Sequence, residues 1–185
     1  MRILILSLLL LISTKSIAES EEFTDHDTHQ HGHAEVYISF IEQNAQIRLV
    51  LPSIDVFGYE HKPNNAQQLS EAQRQLDILD KLENIISIDD SCTQIHSEVE
   101  SSMLADDSHN DSHEHDDEHH HDKAENHSNV IATYKLDCKS NTGIQMDFNI
   151  FKVYPSLEKL ELQFVSNETQ TATVMTPENS IYNLP

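Results

Sequence analysis

The sequence predicts an α+β fold: an antiparallel sheet packed by one main amphipathic helix, with a disordered His- and Asp-rich insert between two strands. Three observations carry this reading. Apolar residues alternate with polar ones through several short stretches from Ala34 onward, as half-buried strands require. A single stretch, around residues 65–84, instead repeats its apolar residues at spacings of three and four. Residues 106–128 contain no apolar side chain beyond Ala124, so they cannot bury enough surface to offset the entropy of ordering.

The elements follow in chain order. Met1 and Arg2 precede an apolar run over residues 3–12, broken only by Ser7, and Ser16-Ile17-Ala18 offers small residues for cleavage. This is the pattern of a signal peptide over residues 1–18, too short for the ~20 residues of a membrane span. Export to a soluble compartment is expected, with no membrane span after processing. Residues 19–33 are polar and His-rich and read as a flexible arm. Residues 34–185 read as a single domain with the insert at 106–128.

Ala34, Val36, Ile38 and Phe40 alternate, as do Ile47, Leu49 and Leu51, with Glu42-Gln43-Asn44-Ala45 between them. That is a hairpin, and Pro52 ends its second strand because proline cannot donate to the ladder. Residues 53–63 form a connection. Leu69, Ala72, Leu76, Leu79, Leu82 and Ile86 then mark the helix, starting near Asn65 or at a Ser70–Gln73 capping box and reaching about Asn84. Further strands are expected at residues 92–100, 129–138, 144–150, 158–166 and 170–175, with a turn at Tyr154-Pro155.

Cys92 and Cys138 are the two cysteines of the chain. In an oxidising compartment such a pair reads first as a disulfide, and second as two thiolate ligands for a metal.

Charge narrows the function. The formal net charge is −21, which argues against nucleic acid as a partner and favours cations. The insert supplies ligands for them: His109, His113, His115, His119, His120, His121 and His127, set among nine carboxylates. Neutral imidazole suits zinc, nickel and copper(II), and carboxylates add charge and oxygen donors. Copper(I) is disfavoured, because Met103, Met146 and Met175 are scattered. A second cluster holds His26, His29, His31 and His33; an extended chain would place His29, His31 and His33 on one side. His61, with Glu60, would join His31 and His33 if the connection after the hairpin returns to their end of the sheet. His96 falls on a strand and reads as exposed surface. The sequence contains no Gly-x-Ser-x-Gly, phosphate loop or His-Glu-x-x-His, and no catalytic role is expected.

The same residues carry a family resemblance. His31-Gly32-His33-Ala34-Glu35-Val36 opening a strand, Phe57-Gly58-Tyr59-Glu60-His61-Lys62-Pro63, the His-rich insert, Tyr134-Lys135-Leu136-Asp137-Cys138 and Tyr154-Pro155 occur in the order found in the ZrgA-type zinc-uptake proteins of the Gram-negative periplasm. Tyr59 departs from the pattern, where Phe is frequent. The resemblance implies a periplasmic protein that binds Zn2+ and assists high-affinity zinc uptake, with a zinc transport system of the envelope as partner. The alternative is a divalent-metal buffer for zinc, nickel or copper without a direct transport role. A zinc transporter's solute-binding subunit would need two α/β lobes, which the strand-rich pattern does not supply.

Overall fold

The computed structural model describes residues 31–104, 128–140 and 143–185, and its first element is the hairpin of β1 (His33–Ile41) and β2 (Asn44–Pro52). Glu42 turns the chain with φ of 57°, in the left-handed region. Ala34, Val36, Ile38 and Phe40 of β1 and Ala45, Ile47, Leu49 and Leu51 of β2 are all buried, so the sequence alternation is one sheet face packed on a core. Pro52 is the last residue of β2.

Two strands extend this hairpin on the β2 side. β5 (Asn129–Cys138) pairs antiparallel with β2, and β4 (Cys92–Ser101) pairs antiparallel with β5. On the other side, β7 (Lys159–Ser166) lies against β1 and β8 (Gln170–Met175) closes the sheet, giving the order β4-β5-β2-β1-β7-β8. The β1–β7 pair is parallel, which corrects the expectation of a purely antiparallel sheet. Topology explains it. β5 finishes at the end of the sheet where the β1–β2 turn lies, with Cys138 N–H bonded to Gln43 O. The chain must then cross the core face before starting β7 at the end where β1 starts, and a crossover of this kind yields parallel neighbours.

That crossover also corrects the strand expected at residues 144–150. Only β6 (Gln145–Asp147) is extended; Asn149 then adopts helical dihedrals and a short helix, α4 (Ile150–Val153), follows. Ile144, Met146, Phe148 and Ile150 are all buried, so the alternation reported a buried side rather than one continuous strand. β6 is the centre of a second, three-stranded sheet with β3 (Ser87–Ile88) and β9 (Ile181–Asn183), two strands too short to leave a periodic signal.

Residues 53–63 hold a further surprise, a one-turn helix α1 (Ser53–Phe57) closed by Gly58 at φ 81°. The main helix, α2 (Ala66–Leu79), starts at Asn65, whose side chain accepts from Gln68 N–H at 2.9 Å, and not at Ser70. It stops short of Asn84, and α3 (Leu82–Ile85) follows as a separate turn. Distant side chains cause the break. The last carbonyls of α2 have no partner within the helix, and three side chains take them: Asn84 Nδ2 donates to Ile78 O at 2.9 Å, Tyr134 Oη to Leu79 O, and Gln94 Nε2 to Asp80 O at 3.1 Å. Gln94 Oε1 also accepts from Leu82 N–H at 2.9 Å, so β4 fixes both sides of the gap.

Among the described residues no helix is long and apolar enough to cross a membrane. The signal-peptide reading of residues 1–18, the arm through residue 30 and nearly all of the 106–128 insert lie outside the described residues.

Tyr134 is fully buried on the core face of β5, and its hydroxyl is the donor that ends α2. Tyr134→Phe is expected to cost about 1–3 kcal/mol, because the Leu79 carbonyl is then buried without a donor. Urea melts of the two proteins measure this, and an unchanged midpoint would show that the hydroxyl does not support the end of α2.

Candidate functional site

The strand registers put five chain segments at one end of the sheet. β1 begins there at His33, opposite Lys159 at the start of β7. β2 ends there, with Pro52 opposite Asn129 at the start of β5, and β4 ends there, with Ser101 opposite Val130. The chain therefore leaves the sheet toward the His-rich insert and returns from it on adjacent strands, beside the point where the His-rich arm enters.

α1 ties these points together. Ser53 N–H donates to Ser128 O at 2.8 Å, at the return from the insert. Asp55, buried to 8 % exposure, accepts the Gly32 N–H on Oδ2 at 2.8 Å, at the end of the arm. Gly32 O in turn accepts from Glu158 N–H at 2.7 Å and Lys159 N–H at 3.0 Å. Gly32 has φ of 78°, and a Cβ there would meet Ser156 O at 3.1 Å, so both conformation and space call for glycine.

Beyond α1, Gly58 sends the chain back over the same end and places Glu60 against the arm: Glu60 Oε1 lies 3.6 Å from His31 Nε2. Phe57, Tyr59 and His61 stack in series, with ring centroids 6.0 Å and 4.9 Å apart. Tyr59 is anchored by its hydroxyl, which donates to Gln68 O at 3.1 Å, and burial followed by the nearby Glu71 raises its pKa. His61 Nδ1 lies 2.9 Å from Lys62 O. A carbonyl only accepts, so this bond requires the Nδ1–H tautomer and leaves the Nε2 lone pair for another partner.

The structure thus brings His31 and Glu60 together and sets His61 one residue further on. His33 is half-buried in β1. The extended run expected through His29, His31 and His33 is interrupted at Gly32, whose positive φ turns the backbone between His31 and His33. His96 is exposed on β4, as expected. Among the described residues no three His, Cys, Asp or Glu side chains converge into a metal-binding group. His29, His109, His113, His115, His119, His120, His121 and His127 lie outside the described residues. Asp55 and the ring support from Tyr59 were not legible in the sequence. A lone Asp in a connecting segment carries no pattern, and only its bond to Gly32 gives it a role.

Cys92 and Cys138 form a disulfide between directly opposed residues of β4 and β5. It lies at the far end of β5 from Asn129, a span of about 30 Å at ~3.3 Å per residue. The cysteines are therefore neither free thiolates nor neighbours of the histidines. Burial pushes the phenols of Tyr134 and Tyr154 well above the usual tyrosine range, so both stay neutral in the core.

Residues 28–184 match the model of the ZrgA family, described as zinc uptake proteins. No curated protein matches the chain.

Replacing both cysteines with alanine is expected to destabilise the fold by about 3 kcal/mol, since the bridge closes a loop of 46 residues' separation. Zinc stoichiometry should not change, because the bridge lies at the opposite end of the sheet from His31, His33 and His61. Denaturation and zinc titration on the same variant check both halves, and a lost zinc ion would reinstate the thiolate reading.

Proposed function

The chain belongs to the ZrgA family of zinc uptake proteins, and from that premise we propose that it captures zinc in the periplasm and assists its high-affinity uptake. The observation that carries this reading is the convergence at one end of the sheet. His31 at the end of the arm, Ser128 at the return from the 106–128 insert, and the Glu60–His61 segment all lie at this end, tied together through α1 and Gly32.

The insert is the capture element. Its seven histidines and nine carboxylates give a high local concentration of borderline nitrogen and oxygen donors. Its sequence offers no apolar side chain beyond Ala124, so ligands there would lose ordering entropy on binding zinc. Such a site loads and releases quickly, as handover requires. The tighter site is drawn from His31, His33 and His61 with Glu60, of which only His31 and Glu60 are already side by side, so the metal must gather the others. The His61 tautomer supports it, since a ligand histidine ordinarily donates its other ring N–H to a carbonyl or carboxylate. Glu60 beside His31 supplies negative charge for the cation. A tetrahedral zinc takes four ligands, and the arm's His29 or the insert completes the set. No catalytic step is assigned, and a transport system of the envelope receives the metal.

Protons compete with zinc for imidazole, whose ordinary pKa is about 6.5. The carboxylates around the insert's histidines favour the imidazolium, so protonation there begins at higher pH. Zinc affinity should therefore be full in neutral solution and fall as pH drops toward about 5.5.

Calorimetric zinc titrations of the protein lacking residues 1–18, at several pH values, are expected to show two classes of site. Deleting residues 106–128 should remove the weaker class and leave the fold intact by circular dichroism, at the small cost of the Ser53 N–H to Ser128 O bond, because Ser101 and Val130 are paired neighbours that a short turn can join. A single class that survives the deletion would sink the two-part scheme, and tighter binding of nickel or copper(II) than zinc would favour the buffer reading.

His61→Ala is expected to weaken the tighter class by about tenfold or more while sparing the weaker one. An unchanged tight class would remove His61 from the site.

A further inference from the structure

Among the described residues the six-stranded sheet has two edge strands without a further strand partner, β4 and β8, and they are built differently. β4 breaks register between Gln94 and His96, leaving Ile95 bulged and exposed, and it carries His96, Glu98 and Glu100. Bulges and charges are the ordinary means of keeping an edge strand from pairing with another chain. β8 has neither. It follows β7 without a register shift over Gln170–Met175, and none of its six residues is charged in a chain with 32 acidic residues. Gln170, Ala172, Thr173 and Val174 are exposed, and Val165 of β7 adds an apolar side chain beside them at 46 % exposure. Thr171, Thr173 and Val174 are β-branched, which suits a paired strand.

We propose that β8 is a dimer interface at which two copies of this chain pair antiparallel, joining their sheets into one. A dyad perpendicular to the sheet makes such a contact isologous and closed and keeps both core faces on the same side, whereas the dyad along the strands that a parallel join needs would turn one sheet over. Directly opposed residues share a face, so the self-pairing must oppose residues of like parity. Centring the dyad on Thr173 opposes Thr173 to the second copy's Thr173 and Ala172 to the second copy's Val174. Both are favourable cross-strand pairs, and no charge faces another. The net charge of −21 opposes association, and salt screens it, so the dimer strengthens as ionic strength rises. The histidine-bearing end lies where β8 finishes, so antiparallel pairing points the two capture ends in opposite directions. Each loads independently, and the interface stands apart from the zinc reading.

Sedimentation velocity on the protein lacking residues 1–18, in rising salt, is expected to show a monomer converting to a dimer. Thr173→Lys sets two like charges on the dyad and should leave a folded monomer, while Ile95→Lys on the other edge should leave the dimer intact. Thr173→Cys adds one thiol to a protein whose own cysteines are bridged, and mild oxidation should link it into a covalent dimer far more readily than Ala172→Cys. A monomer at every salt concentration, a dimer indifferent to Thr173→Lys, or cross-linking that favours Ala172 would each overturn the proposal.

Discussion

β5 is paired on both sides, and its register is the constraint on which the other features of the molecule depend. Asn129 opposite Pro52 brings the return from the insert to the base of α1, and Cys138 opposite Cys92 brings the cysteines into bonding position. Between these ends Val130, Ala132, Tyr134, Leu136 and Cys138 fill the core face. A slip of one residue would turn all five to solvent and would separate the Tyr134 hydroxyl from the Leu79 carbonyl. The hydrophobic pattern, the disulfide and the helix cap thus specify the same register, which is the agreement between levels that gives a sequence one fold.

The strands pointing toward the insert are held by covalent and core interactions at their far ends, and by backbone bonds at their near ends. Ser53 to Ser128, Gly32 to Asp55, and Glu158 to Gly32 are all bonds to main-chain groups. They anchor the segments that carry the histidines without using any imidazole. The candidate ligands His31 and His61 at this end are exposed, while the backbone that presents them is fixed. Fixing the backbone lowers the entropy that a metal must overcome, and leaving the rings accessible keeps exchange fast.

What the sequence disclosed was whatever repeats locally. The β1–β2 hairpin, β5, β7 and β8 follow from alternation at period two, and α2 from spacings of three and four. The disulfide followed from compartment and cysteine count. The failures were non-local. The gap between α2 and α3 is set by Gln94 and Tyr134, which arrive from strands 12 and 55 residues away in sequence from their partners Leu82 and Leu79. The parallel pairing of β1 with β7 depends on the path of the crossover, which no periodicity encodes. At the candidate site, histidine spacing named the residues, but the arrangement of His31 beside Glu60 depends on Asp55 and on the positive φ of Gly32. Neither has a pattern of its own.

The separation of metal ligands from core has a thermodynamic consequence. In a zinc finger the ligands are also the folding nucleus, so binding energy and folding energy are the same quantity, and release of the metal unfolds the domain. Here the core is closed by about thirty apolar side chains that include no histidine, and the disulfide closes the far end of the sheet. The folded state therefore exists on either side of the metal-binding equilibrium. On the proposed zinc-binding reading, affinity would then be set by proton competition and ligand ordering, and could be weak enough for release without risk to the scaffold. A carrier that surrenders its cargo would need that independence, and the placement of His31, His33 and His61 outside the apolar core would provide it.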